Sequence, residues 1–118
     1  MTRHNQRIGA WGEQAAADYL LQQGYLIKGR NLRTPYGEID ILAQQDEFTI
    51  FVEVKTRTSI RAGLPEESIT PRKREHLRAA AEYYAAEHEI DHWQLDVLAV
   101  EGIPGGEPMI THFENAIQ

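Results

Sequence analysis

Asp40, Glu53 and Lys55 are charged residues that a strand hairpin would bring together. Asp46-Glu47 has the length of a tight loop between Gln45 and Phe48. Counting back from that loop, Leu42 opposes Phe51, Asp40 opposes Glu53, and Glu38 opposes Lys55, all on one face. Directly opposed side chains have Cβ atoms about 5 Å apart. Glu53 and Lys55 share a face about 6.6 Å apart along their strand. Like charges in opposition destabilise a sheet, and a divalent cation removes that objection. Paired carboxylates with waters are the usual protein share of a Mg²⁺ site. A lysine beside them can orient a water or stabilise negative charge on a phosphate. On spacing alone, the same residues also read as a solvent-facing polar stripe with cross-strand ion pairs.

A second motif competes. His88-Glu89-Ile90-Asp91-His92 matches the His-Glu-x-x-His pattern of zinc peptidases. That chemistry needs both histidines on one helix face, with the glutamate as general base. Here the preceding helix should be ending, and Trp93 to Val97 reads as strand. The imidazoles would then not share a face. A third ligand would have to come from Glu107, His112 or Glu114, with no supporting pattern. A zinc peptidase is the remote alternative, revived only by a helix running on through residue 96.

These residues need elements to hold them. Ile8, Trp11, Gly12, Ala15, Ala16, Tyr19 and Leu20 recur at helical spacing, predicting a helix from Arg7 to Gln23 that stops at Gly24. Tyr25 to Arg30 reads as a short strand and Thr34-Pro35-Tyr36-Gly37 as a turn. Alternating residues predict strands over Glu38–Gln44 and Phe48–Arg57, with a loop over residues 58–69. Thr70-Pro71 is an N-cap followed by Pro at the first helical position, opening a helix to about Glu87. Trp93–Glu101 and Met109–Phe113 are further strands around a Pro104-Gly105-Gly106 turn. The passage from residue 48 to 101 should be a right-handed crossover between parallel strands. The expectation is a mixed central sheet flanked by helices, an α/β sandwich. Trp11, Tyr19, Tyr83, Tyr84 and Trp93 are expected in the core rather than as stacking platforms.

A chain of 118 residues is expected to form one domain spanning 1–118. With no Cys, disulfides, Cys-ligated zinc and thiol catalysis are excluded. No apolar run approaches the ~20 residues of a membrane span, so no membrane partner is expected. Met1 to Gln14 shows no apolar signal region, which favours the cytoplasm. The net charge of −6 is segregated: residues 1–78 carry all 12 Lys and Arg for a net +2, and residues 79–118 carry net −8. Arg57, Arg61, Arg72, Lys73, Arg74 and Arg78 lie close together and could form a local basic face.

Gly37-Glu38-Ile39-Asp40 followed by Glu53-Val54-Lys55-Thr56-Arg57 resembles the signature of the PD-(D/E)XK nuclease superfamily. The wider pattern adds Gly9-x-x-Gly12-Glu13, Ala16, Tyr19-Leu20, Gly24-Tyr25, Asn31-Leu32-Arg33, Phe51-Val52 and Lys73. Together these are similar to the YraN-like family of uncharacterised, endonuclease-like proteins, related to archaeal Holliday junction resolvases. One departure from the superfamily pattern is Ile39, where Pro would precede the first acid.

The resemblance covers nearly the whole chain and implies a restriction endonuclease-like fold with an α-β-β-β-α-β core. It implies Asp40 and Glu53 as ligands of Mg²⁺ or Mn²⁺, Lys55 as the lysine positioning the attacking water, and Glu13 as a further acid at the site. Read from the residues alone, Glu13 is an exposed helical acid. Arg57, Arg61 and Lys73 are the candidate phosphate contacts. The expected activity is metal-dependent cleavage of DNA, on branched recombination or repair intermediates, with a homodimer implied by the resolvases. The alternative is an inactive nucleic-acid-binding module of the same fold.

Overall fold

The computed structural model describes residues 3–58 and 69–117. The small and apolar residues that recur every third or fourth position form helix α1, Arg3–Gln22. It ends where expected. Gly24 takes a φ of +93°, and the Tyr25 N–H turns back to the Leu20 carbonyl at 2.9 Å. Only a residue tolerant of the left-handed region ends a helix in this way at low cost.

Strand β1, Leu26–Thr34, runs further than the predicted Tyr25–Arg30. The residues beyond Arg30 lack a clear apolar alternation, and cross-strand pairing sustains the strand instead. Arg30 pairs with Ile41, Leu32 with Ile39, and Thr34 with Gly37. A register shift between Ile27 and Gly29 kinks β1. Strands β2, Gly37–Gln45, and β3, Phe48–Arg57, form the expected hairpin. Its turn places Asp46 at a φ of 55°, a region that Asp tolerates. The register is the expected one, with Gln45 opposite Phe48, Leu42 opposite Phe51 and Ile41 opposite Val52.

Helix α2, Pro71–Glu87, opens on the Thr70 cap, whose hydroxyl accepts the Lys73 N–H at 3.1 Å. Strand β4, Trp93–Glu101, then pairs parallel to β3, placing Val97 beside Glu53 and Ala99 beside Lys55. Strand β5, Met109–Phe113, closes the sheet antiparallel to β4. The strand order is β1-β2-β3-β4-β5, and the fold is α/β, a mixed sheet of the kind expected for a restriction endonuclease-like core.

Each face of the sheet is covered by one helix. Ala16, Ala17 and Leu20 of α1 pack with Ile41, Ala43, Ile50, Val52, Leu98 and Val100. Leu77, Ala80, Ala81 and Ala85 of α2 pack with Leu42, Phe51, Leu95 and Val97. Burying these faces is what holds two helices against one sheet. Of the aromatic residues expected in the core, Tyr83 instead lies exposed beside Tyr36, their ring centroids 6.1 Å apart. Among the described residues, no helix is long and apolar enough to cross a membrane.

Candidate active site

The β2–β3 ladder stops just before the acidic residues. Its last register pair is Ile41–Val52. One step further, the Val54 N–H donates to Asp40 Oδ2 at 2.9 Å. A side-chain carboxylate thus takes a backbone donor beyond the end of the ladder. The alternation of β2 breaks at the same point. Ile39 joins Leu42 in the α2-side core, although the intervening Ile41 packs on the α1 side. The predicted pairing of Glu38 with Lys55 is therefore not made; Glu38 is exposed and pairs with Arg33 of β1.

This fork positions Asp40 against Glu53. Glu53 follows Phe51 by two positions and is buried, 7% exposed. A small cavity of about 10 Å³ is lined by Asp40 and Glu53 together with Ile39, Phe51, Val52, Leu77 and Leu95. Burial, the charge of Glu53 and a hydrogen bond to Glu53 push the Asp40 pKa up to about 7. The Val54 N–H and the Lys73 charge oppose that rise without cancelling it. Two carboxylates that share a hydrogen bond in a buried place do not both ionise readily.

Lys73, in the first turn of α2, reaches Glu53 Oε2 at 3.5 Å. Lys55 is half-buried two residues along β3 and makes no ion pair with a described residue. The cation paired with Glu53 thus comes from a different element than the hairpin pattern suggested.

Glu13 arrives from the opposite side. Gly12 packs so closely on β3 that a methyl group there would overlap the Thr56 side chain. This contact brings the next residue, Glu13, within electrostatic range of Asp40. Glu13 is half-buried, not an exposed helical acid. Its pKa is raised by burial and by Asp40, against a hydrogen bond from Asn31 and the charge of Arg30. Asn31 holds that position with a left-handed φ of 53°. The Asn31 contact was missed as a site feature; Asn31 entered only through Asn31-Leu32-Arg33 of the family pattern, with no role given to it.

Arg57 is half-buried at the end of β3, in register with Glu101, and its carbonyl accepts the Gly102 N–H at 3.0 Å. Arg61 lies outside the described residues. The His88-Glu89-x-x-His92 reading fails on geometry. Helix α2 ends at Glu87 with His88 as its cap, and Glu89 takes a φ of 53°. His88 stacks on Tyr84 with centroids 3.9 Å apart, whereas His92 packs near Phe48. Without a shared helix face the two imidazoles cannot bind one zinc ion as a peptidase requires.

The all-oxygen pair Asp40 and Glu53 suits a hard divalent cation such as Mg²⁺ or Mn²⁺. Their fit rests on two features: a charge on Glu53 that raises the Asp40 pKa, and a cavity of about 10 Å³, lined in part by both residues, near the size of one water.

Known proteins of similar sequence span the same residues. The pattern of a family described as "Uncharacterised protein family UPF0102" matches residues 12–100, which include Glu13, Asp40, Glu53, Lys55 and Lys73. A UPF0102 protein of Dehalococcoides mccartyi is 40% identical over 119 aligned positions, covering 99% of this chain and 98% of the relative. One from Syntrophotalea carbinolica is 44% identical over 98% of this chain and 95% of its own. A third, from Caldicellulosiruptor bescii, is 46% identical over 70% of this chain and 69% of its own. The chain belongs to the UPF0102 family, the YraN-like group that its motifs resemble.

Proposed function

We propose that this protein is a metal-dependent nuclease hydrolysing phosphodiester bonds in DNA, with branched repair or recombination intermediates as its substrates and the cytoplasm as its location. The observation that carries this reading is the convergence of Asp40 and Glu53 at the fork of β2 and β3. Asp40 and Glu53 would hold Mg²⁺ or Mn²⁺, which supplies Lewis-acid stabilisation of the phosphate charge and a more acidic water. Lys55 follows Glu53 on the same strand and serves to orient the attacking water. Glu13 serves as a further acid beside Asp40. Lys73 neutralises Glu53, and Arg57, Arg61 and Lys73 supply phosphate contacts, which position a duplex without reading its sequence.

The experiment is cleavage and binding of branched and linear duplexes across a salt series, with Mg²⁺ or EDTA. Asp40→Asn and Lys55→Met should abolish cleavage. Asp40→Asn should bind DNA as well as wild type or tighter, because it removes an anion near the phosphates. Arg57→Ala should weaken binding to every sequence and lower the salt slope by about one unit. If wild type binds but never cleaves with either metal, the inactive binding module is the correct reading. If nothing binds at low salt, both readings fall.

A further inference from the structure

On the α1 face of the sheet, Asp96 is completely buried and both of its oxygens are engaged. Oδ1 accepts from Gln94 Nε2 at 2.8 Å and from the Asn115 N–H at 2.8 Å. Oδ2 lies 2.7 Å from His112 Nε2, and the other ring nitrogen of His112 lies 3.1 Å from the Tyr19 hydroxyl. The Asn115 bond ties the chain beyond β5 back toward β4 and brings Glu114 to the same place. One ligand atom from each of Asp96, His112 and Glu114 lies within 4.8 Å of the others. His112 and Glu114 face a polar cleft of about 350 Å³ shared with Tyr19, Gln23, Tyr25 and Gln45.

A structural tie between β4, β5 and α1 accounts for the Asp96–His112–Tyr19 chain, and Glu114 accepts a hydrogen bond from the Tyr25 hydroxyl. Glu114 adds a second carboxylate to one imidazole. Residues 79–118, which supply all three side chains, contain no Lys or Arg.

We propose that Asp96, His112 and Glu114 form a second metal site, selective for a first-row transition ion and best suited to Zn²⁺. An imidazole nitrogen with two carboxylates is a borderline donor set, and the cleft leaves an open coordination position for water. That separates it from the all-oxygen pair at Asp40 and Glu53, which suits Mg²⁺. As Nε2 of His112 takes the ion, its proton would move to the other ring nitrogen, and Tyr19 would turn from donor to acceptor. Tyr19 then fixes the ring as an outer partner of a metal-bound histidine does. The paired carboxylates balance the charge of the ion.

The test is a Zn²⁺ titration by calorimetry in the Asp40→Asn full-length protein, which removes competition from the other acidic pair. One equivalent should bind. Adding Glu114→Gln, at an exposed position that should leave the fold intact, should weaken binding at least tenfold. Tyr19→Phe should weaken it about tenfold. Nitrogen NMR should show the His112 proton exchanging ring positions on Zn²⁺ addition. Absence of stoichiometric binding, or affinity unchanged by Glu114→Gln, overturns the site.

Discussion

Lys73 of α2 pairs with Glu53 at 3.5 Å, although Lys55 lies only two residues away on Glu53's own strand. Glu53 is 7% exposed, so its carboxylate depends on whatever cation reaches it. Replacing Lys73 with Met should destabilise the metal-free protein by about 1–2 kcal/mol, a value reduced by the exposure of the lysine. Saturating Mg²⁺ should recover most of that loss, since the ion neutralises the same carboxylate. Thermal unfolding of both proteins with EDTA and with Mg²⁺ checks this. An equal deficit under both conditions would refute it.

The raised pKa of Asp40, about 7, sets a pH signature. The unfolded chain releases this proton near the ordinary carboxyl value of about 4. Between that pH and about 7 the folded metal-free protein binds more protons than the unfolded one. Stability should therefore fall as pH rises through this window. Metal binding requires the ionised carboxylate, so it should release about one proton at pH 6 and almost none above pH 8. Calorimetry in buffers of differing ionisation enthalpy measures that release. Equal release at both pH values would contradict the coupling.

Much of the fold was legible because its signals are local. The Asp46-Glu47 turn length fixed the hairpin register, and Thr70-Pro71 marked the start of α2. The same counting brought Asp40 toward Glu53. It did not show that the ladder forks there, because the fork depends on the Asp40 side chain taking the Val54 N–H. Nor did it assign Lys73 to Glu53, a contact set by how α2 lies across the sheet. Glu13 was recoverable only through resemblance to a family. Its burial follows from the tight seat of Gly12 on Thr56, a distance in space with no periodicity in sequence.

That seat is testable by itself. Gly12→Ala should push α1 off β3 and cost about 1–3 kcal/mol, as overpacking of a filled contact does. Thr56→Gly removes the side chain that the new methyl meets. The double substitution should therefore lose less stability than the sum of the single ones. Denaturant unfolding of the four proteins closes the cycle. Strict additivity would mean that Gly12 does not set the approach of α1.

Asn31 separates backbone strain from hydrogen bonding at Glu13. Its φ of 53° is easy for Gly, tolerable for Asn and costly for Ala. Its side chain also donates to the Glu13 carboxylate and lowers that pKa against burial and Asp40. Asn31→Gly keeps the backbone and deletes the donor, so stability should change little while the Glu13 pKa rises further. Asn31→Ala deletes the same donor and adds roughly 1 kcal/mol of strain. Both variants should raise the Glu13 pKa by a similar amount, and only the alanine should lower the unfolding midpoint clearly. Carbon-detected NMR titration of Glu13 beside thermal unfolding reads the two effects separately. If Asn31→Gly leaves the Glu13 titration unmoved, the residue acts through the backbone alone.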